Sequence, residues 1–92
     1  MNRSKLFACI ISNSDGEILS TFAEHFSAKI ELIEGGILFD ISGLENLIGD
    51  QNKIAGEIGN WLEAKDIAGN VGISKDADTA ILFAKNIEGI TT

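Results

Sequence analysis

The two side chains with the widest chemical repertoire in this sequence, a cysteine and a histidine, each occur once. Cys9 lies inside the apolar run Leu6 to Ile11, where a thiol is usually buried and unreactive. A single cysteine cannot form an internal disulfide, and His25 has no second histidine or cysteine at the spacing of a metal site. Neither residue predicts a nucleophile, a redox centre or a metal site.

The glycine-rich and acidic segments are explained by local structure. The segments 34–36 and 48–50 lack the lysine and the Gly-x-Gly-x-x-Gly spacing that would hold a phosphate at a helix start. They predict turns. Asp76 and Asp78 open a helical pattern, where carboxylates complement the positive end of the helix dipole without any ligand.

The charge balance argues against nucleic acid as a direct ligand. The chain has 7 basic and 14 acidic residues, which gives a formal net charge of -7. That charge opposes the counterion release on which binding to phosphate backbones depends. The sequence therefore predicts weak or no nucleic-acid binding by the domain alone.

Length and hydropathy predict one domain over residues 1–92. A chain of 92 residues with 45% hydrophobic content can form one modest core. The apolar run near the start is too short to span a membrane and lacks the cleavage pattern of a secretory signal. We expect a cytoplasmic protein without a membrane partner.

Hydrophobic spacing and turn residues divide the chain into elements in the order β-α-β-β-α-β-α. Strands are predicted at 6–11, on both sides of a hairpin around Gly35-Gly36, and at 68–74. Helices are predicted from Asp15 to near Ser27, after Asp50, and after Asp76, with a short helical turn at 44–49. Trp61 shares a helical side with Ile54 and Ile58, which predicts a core position.

This order predicts an α+β fold of the ferredoxin-like βαββαβ kind with an added helix. Right-handed crossovers would give a four-stranded antiparallel sheet with the helices on one face. The open face or an unpaired strand edge could serve a protein partner or a homodimer. Because many functions share this fold, it licenses no activity by itself.

Three segments together resemble the palm of Y-family translesion DNA polymerases. They are Phe7-Ala8-Cys9-Ile10, the run from Ile37 through Gly43, and Val71-Gly72-Ile73-Ser74 followed by Ala80 and Ala84. The longer pieces, Phe26 to Glu31 and Leu38 to Gly49, look most like the catalytically degenerate, ImuB-like branch of that family. The resemblance implies a palm-like domain without the fingers, thumb or little finger.

The resemblance also implies that the catalytic positions are lost. Active members transfer a nucleotidyl group with two metal ions held by carboxylates at the end of the first strand and on the hairpin. Here the matching positions are Asn13, Gly35 and Gly36, and the position of a triphosphate-contacting lysine is Ile81. Asp15 and Glu34 are the nearest acids and weak candidates for a magnesium site, so we expect no catalytic residues, cofactor or metal.

Three functions compete on this basis. The first is a non-catalytic palm-like domain that acts as a structural or protein-interaction module in DNA repair and translesion synthesis. The second is a small-molecule-binding regulatory domain of the ACT kind, which has the same element order. The third, a cyclase-like or other palm-type nucleotidyl enzyme, ranks last because the hairpin carries two glycines where acids are needed.

Overall fold

The computed structural model describes residues 5–92, so the first four residues of the predicted domain lie outside the described part of the chain. In chain order the described residues form strand β1 (Phe7–Ser12), helix α1 (Gly16–Ala23), strand β2 (Ile30–Ile33), strand β3 (Gly36–Asp40), a 3₁₀ turn (Leu44–Asn46), helix α2 (Gln51–Ala64), strand β4 (Gly69–Ser74), helix α3 (Ala77–Asn86) and strand β5 (Ile90–Thr91). The α+β class predicted from the sequence is confirmed.

The three helices begin where the sequence predicts, because an aspartate precedes each one. The side chains of Asp15, Asp50 and Asp76 accept hydrogen bonds from backbone N–H groups in the first turns of α1, α2 and α3. Such caps satisfy donors that the helix itself leaves free, and each typically contributes about 1 kcal/mol. Among the helices of residues 5–92, none has both the length and the apolar character of a membrane span.

β1 is the centre of a five-stranded sheet with the strand order β2-β3-β1-β4-β5. It pairs antiparallel with β3 on one side and with β4 on the other, so Cys9 lies between Leu38 and Gly72. β2 pairs antiparallel with β3, whereas β5 pairs parallel with β4. The prediction of a four-stranded antiparallel sheet is therefore wrong, because the described chain forms a mixed sheet of five strands.

The fifth strand forms because α3 carries the chain back along β4. Gly89 has a left-handed φ of 91°, and its carbonyl accepts a hydrogen bond from the Val71 N–H at 2.9 Å. The Gly89 N–H donates to the side-chain oxygen of Asn70 at 3.0 Å. These bonds direct Ile90 and Thr91 onto the edge of β4, and a strand of two residues is too short to show any alternation in the sequence.

Helices cover both faces of the sheet. On the front face, Ala8 and Ile10 of β1 join the main core with α1 and α2. On the back face, Cys9 packs with Ala80 and Ala84 of α3. The crossover helices α1 and α2 share one face as predicted, whereas the added helix α3 covers the other face, because β1 is apolar on both sides and its back side also needs cover.

Gly72 allows α3 to approach the back face. A Cβ atom at this position would meet the carbonyl oxygen of Ala80, the Cβ of Phe83 at 2.8 Å and the N of Ala84 at 2.9 Å. Main chain of the helix thus rests directly on main chain of the strand. The small residues Ala80 and Ala84 complete this close contact, and both are fully buried.

We predict that Gly72→Ala destabilises the protein by about 1 to 3 kcal/mol, because α3 must move away from β4. The control is Gly56→Ala on α2, where an added Cβ meets nothing within 4 Å. That change should stabilise the protein by up to about 1 kcal/mol through helix propensity. Urea unfolding followed by circular dichroism measures both changes, and equal effects of the two would contradict this packing.

Candidate functional site

The C-terminal end of β1 and the β2–β3 hairpin turn lie side by side at one end of the sheet. The Ser12 N–H donates to the Gly35 carbonyl at 2.9 Å, and Ile11 lies opposite Gly36 in the β1–β3 register. Asn13 follows directly and is exposed. The structure thus brings together three of the four positions at which the resemblance implies lost function: Asn13, Gly35 and Gly36.

The two hairpin glycines differ in the space around them. A Cβ at Gly36 would collide with the Ile10 carbonyl oxygen and lie 3.0 Å from the Ile11 Cα, so β3 can approach β1 here only without a side chain. Gly35 sits at the turn with a left-handed φ of 79° and nothing within 4 Å of a built Cβ. Conformation thus favours glycine at Gly35, whereas main-chain contact requires it at Gly36.

The two acids near this end of the sheet have different surroundings. The Asp15 carboxylate accepts a hydrogen bond from the Glu17 N–H at 2.7 Å and caps α1. Glu34 is exposed in the hairpin turn. Within residues 5–92, no three histidine, cysteine, aspartate or glutamate side chains are grouped so that they could hold a metal ion.

Ile81, the fourth of these positions, packs in a different part of the structure. It lies on α3, half-buried, and packs against the back-face cluster around Cys9. An aliphatic side chain in such a cluster offers no hydrogen bond or charge to a phosphate. The fourth predicted position therefore contributes to packing between α3 and the sheet.

The comparisons with known proteins come out negative. No protein-family model, characterised protein or solved structure matches this chain. The fold and the chemistry of its own residues carry the functional argument.

Asp40 at the end of β3 is held by its neighbours. Its carboxylate accepts a hydrogen bond from the Ser42 N–H at 2.8 Å. Partial burial alone would raise the pKa of Asp40, but the Ser42 hydrogen bonds and the charges of Lys29 and Lys5 outweigh it and lower that pKa. These contacts give Asp40 a role in the turn that follows β3.

Cys9 is buried as predicted. Its side chain is 0% exposed beneath α3. Burial raises the pKa of the Cys9 thiol to about 11, against a smaller opposing influence of the positive charge on Lys85. At neutral pH the thiol stays protonated, which is the unreactive form.

Sequence reasoning missed an aromatic and cationic surface where the segment after α1 meets the end of α2. The His25 ring stacks on Trp61 with centroids 4.8 Å apart, and the Lys65 Nζ lies 5.8 Å from the Trp61 ring centroid. Trp61 is 37% exposed, so the prediction of a core position is wrong. Helical periodicity places Trp61 on the correct side of α2 but does not show that the core ends at Ile58 and Leu62.

A groove of about 520 Å³ adjoins this surface. Apolar side chains and ionisable groups of both signs line it: Ile18, Phe22, Ile67, Thr21, Asp15, Glu17, His25 and Lys65. Its size and mixed lining suit a small molecule better than a polymer. Trp61 near the end of α2 and Lys65 directly after it are four residues apart, and this spacing is the sequence signal that points to the groove.

We predict that placing an acid at each of the two hairpin glycines has unequal effects. Gly35→Asp should cost about 1 kcal/mol of stability, the penalty for a left-handed residue with free space around it. Gly36→Asp should cost about 3 kcal/mol or more, because β1 and β3 can no longer pair in register. Thermal unfolding of both variants measures this, and a Gly36→Asp variant as stable as Gly35→Asp would contradict the main-chain contact.

Proposed function

We propose that this protein is a non-catalytic domain of the Y-family polymerase palm type, closest to the ImuB-like branch, that acts as a structural or protein-interaction module in DNA repair. The observation that carries the proposal is Gly36. At the hairpin position where the resembled family needs a carboxylate, strand packing leaves no room for any side chain. The pairing of β3 with β1 therefore excludes an acidic side chain at this position.

The arrangement of strands supports the palm resemblance. β1 lies between the hairpin and β4 in the order β2-β3-β1-β4, which suits a ferredoxin-like core, with β5 as an addition at the edge. Ser12 and Gly35 are joined by a hydrogen bond at the place where the resembled family would assemble its metal ligands. We propose that the domain keeps the framework of such a site without its chemistry.

Charge and surface composition favour a protein partner over nucleic acid. The net charge of -7 opposes contact with phosphate backbones. Several large apolar side chains are exposed instead, among them Leu47 at 83% and Leu82 at 58%. Each of these side chains could be buried against a protein partner, and a cytoplasmic partner of the DNA-repair machinery fits the proposal.

A second candidate function, small-molecule binding of the ACT type, is favoured by the groove beside Trp61. Lys65 and His25 line the same groove as Asp15 and Glu17, and this mixed lining could bind the opposite charges of a zwitterion such as an amino acid. Binding to the folded state would raise the thermal stability of the protein. The two candidate functions predict that different residues respond when a ligand is added.

We predict that the native protein shows no NMR amide shifts at 12–15 or 34–36 on titration with Mg²⁺ and a deoxynucleoside triphosphate. The double variant Asn13→Asp, Gly35→Asp, which places acids only where there is room, should gain Mg²⁺ binding at those amides with Kd of about 10⁻³ M or weaker. A response from the native protein would contradict the non-catalytic proposal, and a silent double variant would contradict the palm-like geometry.

The same spectra separate the second candidate function. Titration with an amino-acid panel should leave the amides of His25 and Lys65 unchanged if the groove is not a binding site. Shifts there that disappear in a Lys65→Gln variant would establish small-molecule binding and displace the first proposal.

A further inference from the structure

We propose that β2 is the contact strand of a symmetric homodimer, in which two copies of this chain join their sheets edge to edge around a two-fold axis at Ile30. This inference depends on the geometry of β2 and not on the polymerase resemblance. Within residues 5–92, no strand pairs with the outer edge of β2. A second copy is the occupant to which its charge pattern points.

The free edge has main-chain groups ready to pair. The Asp40 N–H donates to the Lys29 carbonyl at 3.0 Å, so Lys29 and every second residue after it form the hydrogen-bonded pairs of the β2–β3 ladder. Main-chain groups of odd-numbered β2 residues point toward β3, so the N–H and C=O groups of Ile30 and Leu32 point outward. An antiparallel strand from a second copy can accept and donate at these two residues.

Symmetry restricts the register to a few choices. A two-fold axis perpendicular to the sheet keeps the front faces of both copies on the same side. Residues that lie opposite each other must then both be odd-numbered or both be even-numbered. An axis at Glu31 would place two glutamates directly opposite each other, which is unfavourable. An axis at Leu32 would oppose Glu31 to Ile33 and Ile30 to Glu34, with no matched charges.

The register centred on Ile30 is the one in which charges match. It places Lys29 opposite Glu31 of the second copy, and by symmetry Glu31 opposite Lys29, so two pairs of opposite charge form on the back face. Both side chains are exposed in the single chain, so solvent-facing charges can meet there without the burial of an unpaired group. On the front face, Leu32, which is 57% exposed, comes to lie against Ala28 of the second copy.

The opposite edge of the sheet does not offer the same surface. β5 has two residues, and a turn at Gly89 precedes it directly. β2 has four residues, without a proline or a glycine. Edge strands without such interruptions are the ones that pair with another chain.

A charge exchange tests the dimer and its register together. We expect the wild-type chain to sediment as a dimer at high micromolar concentration. Glu31→Lys and Lys29→Glu, each of which places like charges opposite one another twice, should each weaken association about tenfold or more. The double variant Lys29→Glu, Glu31→Lys restores both pairs and should return the dissociation constant to within about threefold of wild type.

Two further variants separate association from folding. Leu32→Pro removes an outward N–H that β3 does not use, so this variant should be monomeric and folded. Ile33→Pro removes an N–H of the β2–β3 ladder and should lose stability. Circular dichroism checks each fold, which matters for Lys29→Glu because Asp40 lies across from Lys29.

The result that supports the proposal is a wild-type dimer that both single charge variants weaken and the double variant restores. A wild-type chain that remains monomeric at millimolar concentration would overturn it. A dimer that Leu32→Pro leaves intact, or that the double variant fails to restore, would overturn the β2 register. None of these outcomes alters the metal-binding test of the proposed function.

Discussion

The position of β1 between two strands and two layers of helices is the constraint on which the rest of the structure depends. Ala8, Cys9 and Ile10 are all 0% exposed, although their side chains point alternately to opposite faces. β3 and β4 pair with β1 along its length, α1 and α2 cover its front face, and α3 covers its back face. Gly36 and Gly72 mark the points where this enclosure is tightest, because backbone contacts backbone there.

This enclosure has consequences for function. At Gly36 the contact that completes the sheet also excludes the carboxylate that a polymerase-like site would need. The carboxylate of Asp15, one of the two acids near that end of the sheet, caps α1. The surfaces that remain available for binding are the outer side of β2 and the groove beside Trp61, and we propose recognition as the function they suit.

Local signals in the sequence predicted local structure well. The caps Asp15, Asp50 and Asp76 and the hairpin turn could be read directly, because each depends on a few adjacent residues. The side of the sheet that α3 covers depends instead on Gly72 meeting Ala80 and Ala84, a contact between elements. The exposure of Trp61 likewise depends on where the core ends along α2, which periodicity does not report.

The hydrogen bond from the Ser12 N–H to the Gly35 carbonyl holds the end of β1 against the hairpin, so native-state hydrogen exchange at Ser12 tests the central claim most directly. If main-chain pairing keeps the hairpin against β1, the Ser12 amide should exchange slowly. Its free energy of opening should be close to that of the Ile10 amide and near the free energy of global unfolding. Exchange at Ser12 that is as fast as at the exposed Asn13 would mean that the hairpin detaches from β1. A metal site could then assemble there, and the non-catalytic account would be contradicted.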